Sequence, residues 1–336
     1  MKKWYGLTAL VALVVLTGCP PEDEGGGWKQ HADYRAGVPS SAALKLDVPN
    51  QQGSGGLTLG ETAPFYQLTW GVSVHVNAHV LAMMALLETI SLLPPTEVGD
   101  DYRVWGPSEP QGLEAVAWRM RVDKRAEGHF GFVLEGAPKA DPSAFQAVVS
   151  GEHFPGAQRP RGRGSMTLHF DHYRAVSQDP CRDGRVQVAW EATAELRSVE
   201  VSWEAYVDTC RDVTLTDTTY AYEQAADHSG TFLFMAHDNI HEDAARPGLE
   251  TVTMRSRWNG DGLGRADVRL EGEEIAADLQ AAGLEATSVV ASQCWDTLFR
   301  LTFADTAPEA LRPLVVPLLG EEAACAPFSA AEYPAL

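Results

Sequence analysis

The sequence predicts a mainly β fold: one apolar helix near the N terminus, followed by a curved antiparallel meander, half-barrel or barrel-like, packed on that helix. Three observations predict it. After Tyr102, apolar and polar residues alternate with period two through most of the chain. Turn signals such as Asp183-Gly184, Asn259-Gly260 and Asp261-Gly262 punctuate the alternation, as they do between hairpin strands. One long apolar run of helical period, residues 71–93, precedes the alternation and offers a cover for a sheet that must curl, close or be covered.

In chain order, residues 19–60 show no periodicity. Pro20-Pro21, Glu22-Asp23-Glu24, Gly25-Gly26-Gly27 and Gln51-Gln52-Gly53-Ser54-Gly55-Gly56 carry too little apolar surface to offset ordering entropy, so a flexible tether is expected. A single β-rich domain is expected over residues 61–336. In its helix Val72, Val76, Val80, Met83, Leu87 and Ile90 keep the helical period, other sides are apolar too, and Pro94-Pro95 ends the run. That length would span a bilayer. His75, Asn77, His79 and Glu88 lie inside it, however, and no basic flank anchors it, which favours burial under the sheet. The β-branched first turns leave Leu68 to Val76 open to a partly strand reading.

The strands follow: Val116, Trp118, Met120 and Val122 alternate with charged residues, then Phe130, Phe132 and Leu134, then Met166, Leu168 and Phe170. Val186 to Trp190, Val199 to Trp203, Phe232 and Phe234, Val252 to Trp258 and Ala266 to Leu270 repeat the pattern. This spacing implies roughly ten to twelve strands, with sequence neighbours paired and one wet face on each. Glu273 to Leu284 reads as a short helix, Val289 to Phe303 as a final hairpin, and residues 307–336 as a Pro-rich tail pinned by Cys325.

The first residues carry a different message. Lys2 and Lys3, the apolar stretch Leu7 to Leu16, and Leu16-Thr17-Gly18-Cys19 resemble a bacterial lipoprotein signal with its lipobox. The resemblance implies that residues 1–18 are removed, that Cys19 is acylated on its thiol and new amino terminus, and that the membrane partner is reached through lipid. Pro20, directly after the cysteine, is not the aspartate that resembles an inner-membrane retention signal, and by that resemblance the expected address is the cell envelope at the outer membrane. Val104-Trp105-Gly106-Pro107, Gly162-Arg163-Gly164-Ser165, Ser256-Arg257-Trp258 and Gln293-Cys294-Trp295-Asp296 resemble motifs of a group of bacterial lipoproteins with no attached activity, over about Trp70 to Phe303. By fold-level analogy, a helix followed by a curled sheet is similar to half-barrel periplasmic lipoprotein carriers.

Charge and cysteine usage fit an envelope address. Twenty-six basic against 46 acidic residues give −20, and loss of Lys2 and Lys3 makes it −22, so neither nucleic acid nor anionic lipid headgroups are expected as direct partners. With Cys19 assigned to lipid, Cys181, Cys210, Cys294 and Cys325 remain, an even number suited to two disulfides. A hairpin of Arg185–Ala194 with Ser198–Val207 would bring Cys181 opposite Cys210 and leave Cys294 for Cys325. Four free thiols are the alternative.

Several constellations could carry chemistry. His237, Asp238, His241 and Asp243 form the densest ligand cluster, in a loop from which imidazoles and carboxylates could converge on a divalent cation; a solvated acidic tip is the bland explanation. His75 and His79 share a helical face but lack the glutamate of the zinc-protease pattern. His169, Asp171 and His172 are read as closing a strand, able to join either set in space. Asn259-Gly260-Asp261-Gly262-Leu263-Gly264 fits a hairpin turn better than a calcium loop, and Gly162-Arg163-Gly164-Ser165 is no nucleophile elbow. No phosphate loop or dinucleotide fingerprint is present, no catalytic residue is assigned, and no cofactor beyond such a cation is expected. The expected function is a non-enzymatic, lipid-anchored envelope lipoprotein binding an apolar ligand between sheet and helix, or an envelope protein. A cell-surface interaction or structural module is the alternative, and a metal-dependent hydrolase at the His237 loop comes third.

Overall fold

The computed structural model of the chain describes residues 33–45, 56–108, 115–177, 179–211, 213–240 and 245–333. Alternation in sequence becomes alternation in burial. The described residues form sixteen strands; within each of the two units described below, neighbours in sequence pair antiparallel, and the three-residue strand Val213–Leu215 lies off the main path. Contacts divide the chain into two compact units: Met1–Lys45 with His75–Leu215, and Leu46–Val74 with Thr216–Leu336. Helix α1 is the short Ser41–Leu44, and α2 is Pro64–Ser91, which begins seven residues before the expected Gly71. Among the described residues no helix is long and apolar enough to cross a membrane.

The first unit holds β1 (Glu97–Val98), β2 (Tyr102–Trp105), β3 (Val116–Ala126), β4 (His129–Pro138), β5 (Gln146–Pro155), β6 (Gly162–His169), β7 (Arg182–Ala192), β8 (Leu196–Asp208) and β9 (Val213–Leu215). Its core takes Met120 and Val122 from β3, Phe130, Phe132 and Leu134 from β4, Met166 from β6, and Val188 and Trp190 from β7, every second residue in each strand. In α2, Val76, Val80, Met84, Leu87 and Ile90 are buried at steps of three and four, one stripe of the helix. The strand expected to run through Phe170 ends at His169. Phe170–Ser177 is instead a helix, α3, with Asp171 in its first turn and Arg174 in its last, where each charge complements the helix dipole. Cys181 and Cys210 are bonded at the open end of the β7–β8 hairpin, beside the last pair Arg182 and Asp208, as the sequence reading pairs them.

The second unit holds β10 (Thr218–Ala225), β11 (Gly230–Asp238), β12 (Glu250–Trp258), β13 (Gly264–Glu271), helix α4 (Glu273–Ala281), β14 (Ser288–Trp295), β15 (Leu301–Ala307) and β16 (Leu319–Gly320). The first turns of α2 are fastened to its sheet. The Phe65 amide donates to Gln293 Oε1 at 2.9 Å, the Thr69 and Ser256 hydroxyls meet at 2.6 Å, and the Tyr220 hydroxyl donates to Ser73 at 3.3 Å. Tyr66 stacks on Phe299 with ring centroids 4.3 Å apart. On the opposite face of β12 and β13 lies the C-terminal tail, pinned by Cys294–Cys325. There Arg265, only 1% exposed, bonds Asp267 at 2.9 Å and the Phe328 and Ser329 carbonyls, while Asp267 also accepts the Glu332 amide at 3.0 Å.

Both units repeat one device. Trp118 faces Gly136, Trp190 faces Gly164, Trp258 faces Gly230 and Trp295 faces Gly264, each pair across neighbouring strands. A Cβ on Gly164, Gly230 or Gly264 would come within 2.6 Å of the indole, so the missing side chain is the space the ring fills.

Candidate functional site

The motifs that carry the lipoprotein resemblance serve as fasteners. Gln293 caps the start of α2, Cys294 is disulfide-bonded, the Trp295 indole N–H donates to the Gly262 carbonyl at 2.9 Å, and Asp296 Oδ1 accepts the Leu298 and Arg300 amides. Ser256 meets Thr69, and the Trp258 indole donates to the His228 carbonyl at 3.0 Å. Trp105 is buried and donates to the Leu93 carbonyl at 2.8 Å. Apart from the buried Gln293 Nε2, which has no partner among the described residues, the polar groups named here are engaged in holding the fold.

Of the expected metal loop, His237 lies near the end of β11, its Nδ1 3.0 Å from the Thr251 hydroxyl, and Asp238 is exposed. His241 and Asp243 lie outside the described residues, as does the lipidation residue Cys19. His75 and His79 fall within α2, with side chains outside the description.

The groups that do converge lie in the first unit, where β6 gives way to α3. His169, Asp171 and His172 each bring one ligand atom to within 4.8 Å of the other two. The chain achieves this by changing period. His169 is the last outward residue of its strand, and the helix begins at the next residue, so a three-residue step carries His172 back beside it. The two rings lie 12° from parallel with centroids 5.0 Å apart. His172 Nδ1 is 2.8 Å from the Ala147 carbonyl, which only an N–H can satisfy, so the neutral ring keeps its lone pair on Nε2. His169 Nε2 is 3.1 Å from the Ser150 hydroxyl, and its Nδ1 is buried without a partner among the described residues. Burial first, and the neighbouring His172 second, push His169 below the ordinary imidazole value. Burial works to raise the Asp171 carboxyl, but the His172 amide and ring and Arg185 outweigh it and hold Asp171 below the usual carboxylate range.

Ser150 joins this cluster to a shallow groove of about 320 Å³ across β3 to β6, lined among others by Arg125, Gly131, Gly151, Glu152 and Thr167. Gly151 cannot carry a side chain here, because a Cβ would lie 2.4 Å from the Ser165 carbonyl oxygen and 2.5 Å from the Phe132 ring. Ser150 and His169 are at hydrogen-bond distance, yet among the described residues no carboxylate bonds the second nitrogen of His169, the place of the orienting member of a hydrolase triad. Two imidazoles and a carboxylate are instead the donor set of an open divalent-cation site. Reading Phe170 and its neighbours as strand hid the His-x-x-His step, the one signal that could have revealed the cluster.

Comparison with protein-family models finds none that matches this chain, and comparisons with curated proteins and with solved structures find no match either.

Proposed function

We propose that the protein is a lipid-anchored, non-enzymatic lipoprotein of the cell envelope that works as an interaction module for another envelope component. The observation that carries this reading is the stretch from Lys2 to Cys19: a basic start, an apolar core and small residues before a cysteine. Two or more acyl chains give durable anchoring. Of the tether expected over residues 19–60, residues 33–45 are folded, with α1 at Ser41–Leu44 and Tyr34, Val38, Ala43 and Leu44 buried, so the stand-off from the bilayer rests on the linker-like composition before Asp33.

A partner on the outer sheet face is better supported than an acyl chain held between sheet and helix. Along Pro64–Val74 that seam is occupied by side chains of the chain itself: Tyr66 on Phe299, Thr69 on Ser256 and Ser73 on Tyr220. Close-packed seams of this kind have no room for an alkyl chain. The first unit's outer face, in contrast, presents a polar groove.

Mass spectrometry of the protein extracted from membranes tests the reading. The expected species begins at Cys19 with acyl chains attached and carries no further lipid after native desorption, and Cys19→Ser leaves the chain unacylated. A mature protein found free of acyl groups ends the anchor reading. A bound lipid in stoichiometric amount would restore the carrier.

A further inference from the structure

The cluster at the β6–α3 junction does more than bring ligand atoms near one another. A histidine that binds a metal through one nitrogen is usually held by the other, most often through an N–H donated to a backbone carbonyl or carboxylate. His172 is held in this way by the Ala147 carbonyl at 2.8 Å, which frees Nε2. His169 has the complementary arrangement. If its Nε2–H donates to Ser150, 3.1 Å away, the buried and unpartnered Nδ1 bears a lone pair, a costly state for a polar atom shut off from water. Asp171 supplies the negative charge. One of its oxygens accepts the His172 amide at 3.0 Å, and the other meets Arg185 at 3.4 Å, from a side chain that is about half exposed.

We infer that His169, Asp171 and His172 form a binding site for a divalent transition cation of the zinc class, held by two imidazole nitrogens and one carboxylate oxygen. Four-coordinate zinc with three protein ligands leaves a position open, for water or for a donor atom of whatever occupies the neighbouring groove. Binding forms three coordinate bonds and exchanges the Arg185 contact for a metal bond, with no change in oxidation state. The site needs neither His237 nor His241, and it does not depend on the lipid anchor.

The test uses the full chain, purified in detergent with both disulfides intact and stripped by chelator. Equilibrium dialysis against zinc should return one equivalent for wild type and for His237→Ala/His241→Ala. His172→Gln should bind zinc more weakly by more than the roughly 10- to 100-fold that follows loss of an outer-shell partner. Asp171→Asn keeps the size and helix position of the side chain and should weaken binding in the same direction, which guards against misfolding of the histidine variant. Cobalt as a coloured probe should give visible absorption in wild type that is lost in both variants. Wild type without stoichiometric zinc, or His172→Gln and Asp171→Asn binding zinc as tightly as wild type, would overturn the site. Loss of the equivalent in His237→Ala/His241→Ala alone would move the metal to that loop and equally overturn it.

Discussion

The two units finish the outer faces of their sheets in opposite ways. In the second, residues 326–333 lie over β12 and β13: the Phe328 ring packs against Arg257, the Tyr333 ring against Arg255 and Arg269, and Glu332 pairs with Arg255 and Arg257. Beneath them Arg265 and Asp267 are shut away from water together with Ser292. In the first unit polar residues stay open: Arg125 and Arg185 are 56% and 49% exposed, and the groove reaches Ser150, whose hydroxyl is 3.1 Å from His169 Nε2. A face covered by its own chain is stabilised and closed to partners. A face left polar and open contributes less to stability and remains available for binding.

The largest effect that would sharpen this contrast comes from breaking the covered ion pair. Asp267→Asn leaves the Arg265 guanidinium buried without its buried counter-charge, and loss of one partner of a buried pair costs about 3 to 5 kcal/mol. Glu135→Gln, at the half-exposed Arg119–Glu135 pair of the first unit, should cost less than about 1 kcal/mol. Denaturant unfolding of both variants decides it; equal losses would mean that the tail does not seal its face.

A pH effect of similar size belongs to the first unit. His153 is buried against Trp190, with Nδ1 3.2 Å from the Arg163 carbonyl, and burial lowers its pKa to about 4. Between that value and the ordinary 6.5 the unfolded chain binds more protons than the folded one, so stability rises with pH. The contribution, on the order of 3 kcal/mol, is fully present above about 6.5 and is lost as pH falls through about 4. Unfolding midpoints measured across this range should fall with acid, and His153→Phe should flatten the curve. An unchanged slope in that variant would assign the acid sensitivity elsewhere.

Smaller effects test the shared tryptophan device. Gly264→Ala places a Cβ 2.5 Å from both the Arg257 carbonyl oxygen and the Trp295 ring, and overpacking of this kind costs about 1 to 3 kcal/mol. Smallest is the difference between two indoles. Trp295 donates to Gly262, whereas the buried Trp190 N–H has no partner among the described residues. Trp295→Phe should therefore lose about 1 kcal/mol more than Trp190→Phe, the net worth of one hydrogen bond. Thermal unfolding of the pair would show it.

Much of the fold was legible because alternation writes burial directly into a strand. Where inward residues are not plainly apolar, the signal fades. β10 turns Tyr220, Tyr222 and Gln224 inward, and β5 turns Gly151 and His153 inward. Neither was read as a strand. The two-residue strands Glu97–Val98 and Leu319–Gly320 are too short to show any period. The cysteine pairing was legible because a hairpin register fixes which residues sit opposite one another. The histidine cluster was not, because it depends on the residue at which period two becomes period 3.6, and Phe170 fits either pattern.

The contrast between a sealed and an open face is tested most directly by arginine modification with phenylglyoxal, read by peptide mass spectrometry. Arg125 and Arg185 should react readily in the intact chain while Arg265, 1% exposed, stays unmodified, and a chain ending at Ala326 should render Arg265 reactive. Modification of Arg265 at the rate of Arg125 in the intact protein would contradict the account.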